Sequence, residues 1–418
     1  MNDAKPTCMR TGENADPQET SCWQLVAPED YRLPADSQPA ALQRRWKALT
    51  RLLRGRDARA QRARDEAKLS RLPHVRLAHL APPIDWAPAA EAFARALAAQ
   101  PTTDDRPTVR FLVGQPHAGH AAILAHWERM VGAQTLSPPT EAQILSADSR
   151  WIDEYCVGVG SPWVMPTLER CFLRHANGLD LVRGFLQAAM SGALGEGVIG
   201  CDSWAWAYLQ RVWPLPGVQA LTLQAFDGPA LAQLLSRLPA GHRQVRFVSA
   251  KSGDALLGDT EDAGSAHDHG SSPELRRLAA HCRGNPGIAW HHWRRQLRAE
   301  PGPDSAEETD GGRADGGSAP AGEVVWVAAE FVAPTLPSET GEDELFVLHA
   351  VLLHDGLSAA LMTELLPLSP ARIQSLLLRL ASSGLVEQAS DLRWRVAPLA
   401  YPSVRDALRS RAFLVDGF

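Results

Sequence analysis

The chain has 418 residues, 45% of them hydrophobic, with 42 Lys/Arg against 48 Asp/Glu and a formal net charge of −6. Such a chain is too long for one ordinary core and apolar enough to bury two or three, which excludes a wholly disordered protein and predicts a multidomain globular one. No uncharged apolar run of about 18 residues occurs, and the N-terminal residues lack the charged-then-apolar order of a signal peptide, so an integral membrane protein is not expected and a cytoplasmic one is.

The six cysteines, Cys8, Cys22, Cys156, Cys171, Cys201 and Cys282, fall at scattered spacings with no CxxC or Cys/His cluster, which reads as free buried thiols. Histidines are frequent, but neighbours such as His291 and His292 point to different helix faces. No metal site is expected.

In chain order, residues 1–38 are polar, Pro-containing and acidic, and read as a disordered tail. Residues 39–76 read as a basic amphipathic segment: from Gln43 to Arg76 twelve Lys/Arg face three acids, and Leu42, Trp46, Leu49 and Leu53 recur at helical spacing. An α/β core is expected over 77–250, where Val109 to Val113 is a compact apolar run, a Gly-containing loop follows, and Ala121 to Met130 has helical character. Gly197 to Gly200 repeats the buried-strand pattern and ends in Asp202 and Ser203; Ala220 to Leu223 adds another strand. The alternation predicts a parallel sheet. Residues 251–272 read as a flexible insertion, 273–300 as a helical lid, 301–322 as a disordered linker and 323–418 as a final domain.

The loop Gly114-Gln115-Pro116-His117-Ala118-Gly119-His120-Ala121 keeps both glycines of the phosphate-binding pattern, set between a strand and a helix, where amides and a helix N-terminus cradle phosphate oxygens. An ordinary Gly-rich turn is the alternative reading. The position of the phosphate lysine holds His120, and that of the magnesium-binding hydroxyl holds Ala121. Hydrolysis also needs an acidic pair at the end of a buried strand, for which two places compete. Asp153-Glu154 has the residues but no apolar strand before it; Trp163-Val164-Met165-Pro166-Thr167-Leu168-Glu169 is more apolar, yet Pro166 lacks a central strand's amide. Glu169 is the catalytic position this leaves, and it reads equally as a helical charge.

From about Leu77 to Phe418 the order of features resembles the AAA+ class of P-loop ATPases, in particular its origin-recognition-like and STAND branches, with a helical lid and a winged helix. Gly114 to Ala121 resembles a Walker A remnant, Trp163 to Glu169 a Walker B remnant, and Val198-Ile199-Gly200-Cys201-Asp202-Ser203 a sensor 1 strand. Arg283-Gly284-Asn285-Pro286-Gly287-Ile288-Ala289 resembles the Gly-x-Pro turn of the lid, which implies a base contact for Pro286; helix punctuation is the alternative. Arg211 sits where some relatives supply an arginine finger and reads otherwise as a solvated helix charge. The resemblance implies ATP or ADP held weakly, without turnover and without a metal, by Gly114, Gln115, Pro116, His117, Ala118, Gly119, His120, Ala121, Asp202, Ser203 and Pro286.

Beyond Glu344 the elements read in a winged-helix order. Leu345, Leu348, Leu352 and Leu353 make a first helix, and Ser358 caps a second through Leu366. Ser369 caps a third carrying Ile373, Leu376, Leu377 and Leu380 to the Gly384 stop. Leu385 to Val396, broken at Ser390-Asp391, reads as a two-stranded wing, and Pro402 to Arg411 as a last helix. Arg372, Gln374, Ser375 and Arg379 would face a DNA groove, with Arg393 and Arg395 on the wing. From Gly341 to Phe418, however, seven arginines meet nine acids, against the basic surface that groove binding needs. DNA binding by this domain is therefore not expected.

The function expected is a regulatory or scaffolding protein that engages a protein partner. A divergent active ATPase is one alternative; a DNA-binding factor, acting through the basic segment and winged helix, is the other. Residues 43–76 are the part suited to nucleic acid or another anionic surface.

Overall fold

The computed structural model describes residues 21–34, 66, 69–100, 109–156, 162–215, 217–238, 245–257, 272–300, 323–331, 333–337 and 340–418. The main sheet has six strands: β1 (Leu25–Val26), β3 (Val109–Gly114), β4 (Gln134–Thr135), β5 (Trp163–Met165), β6 (Gly197–Asp202) and β7 (Gln219–Leu223). Their order is β1-β7-β3-β6-β5-β4, and every pairing is parallel except that of β1 with β7. Strands β3 and β6 are buried almost throughout, as their continuous apolar runs require of strands covered on both faces. The result is a mixed α/β fold with a mostly parallel sheet, compatible with a P-loop-like core.

Chain connections place the loop after β3 at a topological switch point. From β3 the chain crosses to β4 at the far edge, returns through β5 to β6, and then passes to β7 on the other side of β3. Crevices at such points, outside the carboxyl ends of parallel strands, are where open α/β sheets bind ligands.

A second sheet, unforeseen in the sequence, has the order β2-β9-β10-β8, with β2 at Ser70–Arg71, β8 at Val245–Ser249, β9 at Leu297–Ala299 and β10 at Glu323–Val327. It corrects three expected boundaries. Strand β8 leaves the 77–250 core, β9 ends the 273–300 lid, and β10, paired in parallel with β8, separates residues 323–331 from the final helical unit. The apolar run Val324-Val325-Trp326-Val327 carries β10, because its inner residues Val325 and Val327 complete the main core.

The tail expectation is corrected as well. Trp23 is buried against Trp86 (centroids 5.5 Å apart) and Phe226 (5.2 Å), and this apolar contact area orders residues 21–34 and seats β1 on the sheet edge. Residues 1–20 and 35–38 lie outside the described residues, as do 39–65 of the basic segment, 258–271 of the insertion and the whole 301–322 linker. Where the basic segment is described it is not one helix: β2 precedes Pro73, and a helix α1 (His74–Leu80) follows it.

The final unit comprises helices α11 (Glu342–Leu353), α12 (Ala359–Leu365) and α13 (Pro370–Ser382), the antiparallel hairpin β11 (Val386–Gln388) and β12 (Trp394–Val396), and α14 (Tyr401–Ser410). Ser358 and Ser369 cap their helices by accepting from the amides of Leu361 (3.2 Å) and Arg372 (3.3 Å). Helix α11 is apolar nearly all round because it is clasped on two sides, by its own unit and by α7 (Ser203–Val212) of the core. One contiguous apolar cluster therefore runs from Cys22 to Phe418.

Two histidines at this junction give it a pH dependence. His349 and His354 are 6% and 2% exposed, and burial pulls their pKa values from 6.5 to about 4 and about 3. A depressed folded-state value means that their contribution to stability is complete above about pH 6.5 and is lost progressively as pH falls toward the folded-state values. Between pH 7 and 5.5 each should cost about 1 kcal/mol. Urea unfolding at the two pH values should show the loss, and His354→Gln should make the drop smaller by about that amount. Equal drops in the two proteins would refute the assignment.

Candidate functional site

The loop after β3 closes with the amide of Ala118 donating to the Gln115 carbonyl (3.0 Å), and helix α3 (His120–Val131) begins directly behind it. Gly119 has φ +81°, left-handed backbone that favours glycine. Gly114 is required for a different reason: a Cβ there would lie 2.7 Å from the His120 Cβ.

The other walls belong to the protein itself. The Trp86 ring lies across Gly119, so close that a Cβ would fall 2.4 Å from it. Gln115 Nε2 donates to the Tyr31 hydroxyl (2.6 Å), whose pKa burial pushes up to about 12. Asn285 caps helix α10 (Pro286–Gln296) by accepting from the amides of Gly287 and Ile288, both at 3.1 Å, while its Nδ2 donates to the Pro116 carbonyl (2.8 Å). The ring of His117 sits 6.4 Å from that of His291 and 6.3 Å from that of Tyr401. Burial pulls the His117 pKa down to about 4.

Between Tyr31, Gln115, His120, Asn285 and Pro286 remains a cavity of about 10 Å³, roughly the space of a single water. Ligand pockets run to hundreds of Å³. The amides at the start of α3 have no intrahelical acceptors and the helix dipole is correctly aimed, so the local chemistry suits a phosphate. The space does not: in this conformation the cavity beside the loop is far smaller than a nucleotide-binding pocket.

Around this loop the sequence-derived positions come together. Asp202 is in register with Gly114 across the β6–β3 pairing. Glu169, just beyond β5 and 1% exposed, accepts from the Asp202 amide (3.0 Å) and lies 3.6 Å from His120 Nε2. Glu169 Oε1 and His120 Nε2 are both buried without a hydrogen-bond partner. Asp202 caps α7 by accepting from the Trp204 amide (2.8 Å), and burial, reinforced by the Glu169 charge, raises its pKa well above the usual carboxylate range. Ser203 is fully buried, and its hydroxyl donates to Asp416 Oδ2 (2.6 Å). Pro286 lines the cavity and is also the first residue of α10, so it stands beside the loop and punctuates a helix.

The competing acids Asp153 and Glu154 are exposed on helix α5 (Arg150–Cys156), away from any strand end. Pro166 disturbs no pairing, because β5 stops at Met165. Arg211 is exposed in the last turn of α7, as expected of a solvated charge. Sequence reasoning missed Tyr31, Trp86, Asn285, Tyr401, Arg405 and Asp416. Only Asn285, an Asn before Pro at a helix start, carried a local signal.

Among the described residues no group of three or more His, Cys, Asp or Glu is placed to hold a metal ion, and no helix is long and apolar enough to cross a membrane. No protein-family model and no curated protein matches the sequence. Among solved structures, a Walker-type ATPase of Pyrococcus abyssi is similar at 10% identity with a TM-score of 0.29, over 78% of this chain and 96% of that one. So low a score carries no argument, and the P-loop-like reading rests on the sheet and loop described above.

Proposed function

We propose that the chain is a non-hydrolysing regulatory or scaffolding protein on a degenerate P-loop-like fold, in which the former phosphate loop serves as an internal joint. The observation that carries this reading is the packing of the loop Gly114 to Ala121 against Trp86, Tyr31, Asn285 and Tyr401, with a cavity of only about 10 Å³ between Tyr31, Gln115, His120, Asn285 and Pro286. The chemistry points the same way. Phosphoryl transfer needs positive charge and a metal where negative charge develops, whereas His120 faces Glu169 and position 121 has no hydroxyl.

The helix, helix, helix, hairpin order of 342–396 favours a winged helix, used here for docking. On its third helix Arg372 is paired with Asp343 (2.7 Å) and Arg379 with Glu344. Acids of α11 thus neutralise the charges a DNA groove would have to find.

The test is ATP hydrolysis by the purified protein alongside Gly119→Glu. No turnover above a buffer blank is expected from either. Steady hydrolysis by the natural protein, abolished in Gly119→Glu, would sink the reading.

A further inference from the structure

After α14 the chain runs on as a strap, residues 412–418, without regular secondary structure. Its amides anchor it only at its start, where Ala412 and Phe413 donate to the carbonyls of Arg409 (3.1 Å) and Leu408 (3.0 Å), and His349 Nε2 lies 3.2 Å from the Leu414 carbonyl. Leu414 and Gly417 are exposed while Asp416 and Phe418 are buried, so the strap is held chiefly by what its inward side chains and carbonyls find.

They find a convergent set of donors. Ser203 Oγ (2.6 Å) and the Tyr401 hydroxyl (3.2 Å) donate to Asp416 Oδ2, and Arg405 Nε donates to Oδ1 (2.8 Å). Arg405 Nη2 also reaches the carbonyls of Asp416 (3.0 Å) and Phe418 (2.6 Å), and Arg283 Nη2 reaches the latter at 2.7 Å. Ser203, Tyr401 and Arg405 are 0%, 1% and 3% exposed. Two hydroxyls and one guanidinium around the Asp416 carboxylate, with a second guanidinium beside them on the Phe418 main-chain oxygen, are groups by which proteins recognise a carboxylate or a phosphate. The set is also under-filled: Arg405 Nη1 and Arg283 Nε are buried with no hydrogen-bond partner.

The place matters as much as the chemistry. Ser203 follows Asp202, which lies beside Gly114. The Phe418 ring packs edge-on against Tyr31 (4.9 Å), the residue that holds Gln115. The strap thus lies over the carboxyl edge of the sheet at its switch point.

We propose that Ser203, Tyr401, Arg405 and Arg283 form an anion receptor which the protein's own Asp416 fills, and that a phosphate-bearing ligand competes with the strap for it. Such a ligand supplies more acceptor oxygens than Asp416 and reaches the two unused N–H groups; as the strap leaves, Tyr31 and Gln115 are uncovered. The inference goes beyond the scaffolding reading and does not depend on the 114–121 loop holding a nucleotide.

Inorganic phosphate and ADP are the probes, each compared with sodium chloride at equal ionic strength. In the full-length natural protein, amide hydrogen exchange in 412–418 should rise several-fold with saturating probe. Asp416→Ala, lacking the internal anion, should melt lower in chloride and regain about 5 °C or more, saturably, with phosphate. ADP acting at lower concentration than phosphate assigns the receptor to a nucleotide; equal potency assigns it to the phosphate group alone. Unchanged strap exchange with both probes, together with a folded Asp416→Ala that responds to neither beyond chloride, overturns the proposal. Should Asp416→Ala not fold, exchange in the natural protein decides. ATP turnover is a separate readout: its appearance would sink the scaffolding function and leave the receptor standing.

Discussion

Arg405→Ala is expected to lower the free energy of unfolding by about 3–5 kcal/mol, among the largest losses available to a single substitution here. Arg405 and Asp416 have side chains 3% and 0% exposed and meet at 2.8 Å. Asp416 holds the Arg405 pKa above its usual value against the opposing pull of burial. Truncating the arginine strands a carboxylate that keeps only the Ser203 and Tyr401 hydroxyls, and it removes a donor from the Phe418 carbonyl. Breaking a buried pair costs far more than the pair itself contributes. The double change Arg405→Met with Asp416→Leu should therefore be milder than either partner's removal alone. Urea denaturation of the three proteins gives the comparison, and a loss below about 1 kcal/mol in Arg405→Ala would mean that water reaches the pair.

That ion pair also marks where sequence reasoning ends. Elements that announce themselves locally were legible. Val109 to Val113 and Gly197 to Gly200 are apolar runs with punctuation at both ends, and each is a buried parallel strand. Ser358 and Ser369 read as helix caps, and both accept the expected amide. Strand β1 was hidden because two residues carry no period, and its real anchor is Trp23, which is buried only through contact with Trp86 and Phe226, far along the chain. The second sheet was hidden for a similar reason: it joins Ser70, Val245, Leu297 and Glu323 across long gaps.

At the candidate site the loop was legible and its surroundings were not. Two glycines between a strand and a helix located Gly114 and Gly119. Nothing local reports that Trp86 covers one of them, or that Asp416, 213 residues beyond Ser203, accepts its hydroxyl. The chain between Leu414 and Phe418 reads by itself as a polar interruption in an apolar stretch. Its partners are what make it the strap over the switch point: Tyr401 and Arg405 on the helix just before it, and Ser203, Arg283 and Tyr31 far away in sequence. Spacing could thus reveal the losses at positions 120 and 121, while the closure of the site needed the fold.

Gly287→Ala is the second large expected effect, and it probes that closure directly. A Cβ at Gly287 would lie 1.9 Å from the His117 carbonyl oxygen, main chain of the loop, which no side-chain rotation can clear. Either α10 or the loop has to withdraw. Both are pinned, since Asn285 caps α10 and donates to the Pro116 carbonyl, and His117 already has φ +67°. Overpacking of this kind costs about 1–3 kcal/mol where neighbours can yield, and here about 3 kcal/mol or more is expected because they cannot. Gly132→Ala is the control: that glycine, unlike Gly287, has positive φ, but it meets nothing within 4 Å, so only the backbone cost of about 1 kcal/mol applies. Beyond stability, Gly287→Ala should raise hydrogen exchange at the amides of Gln115 to Gly119 while sparing β5 and β6. An unchanged loop, with stability within about 0.5 kcal/mol of the natural protein, would show that α10 does not bear on the loop and would remove one wall of the closed site.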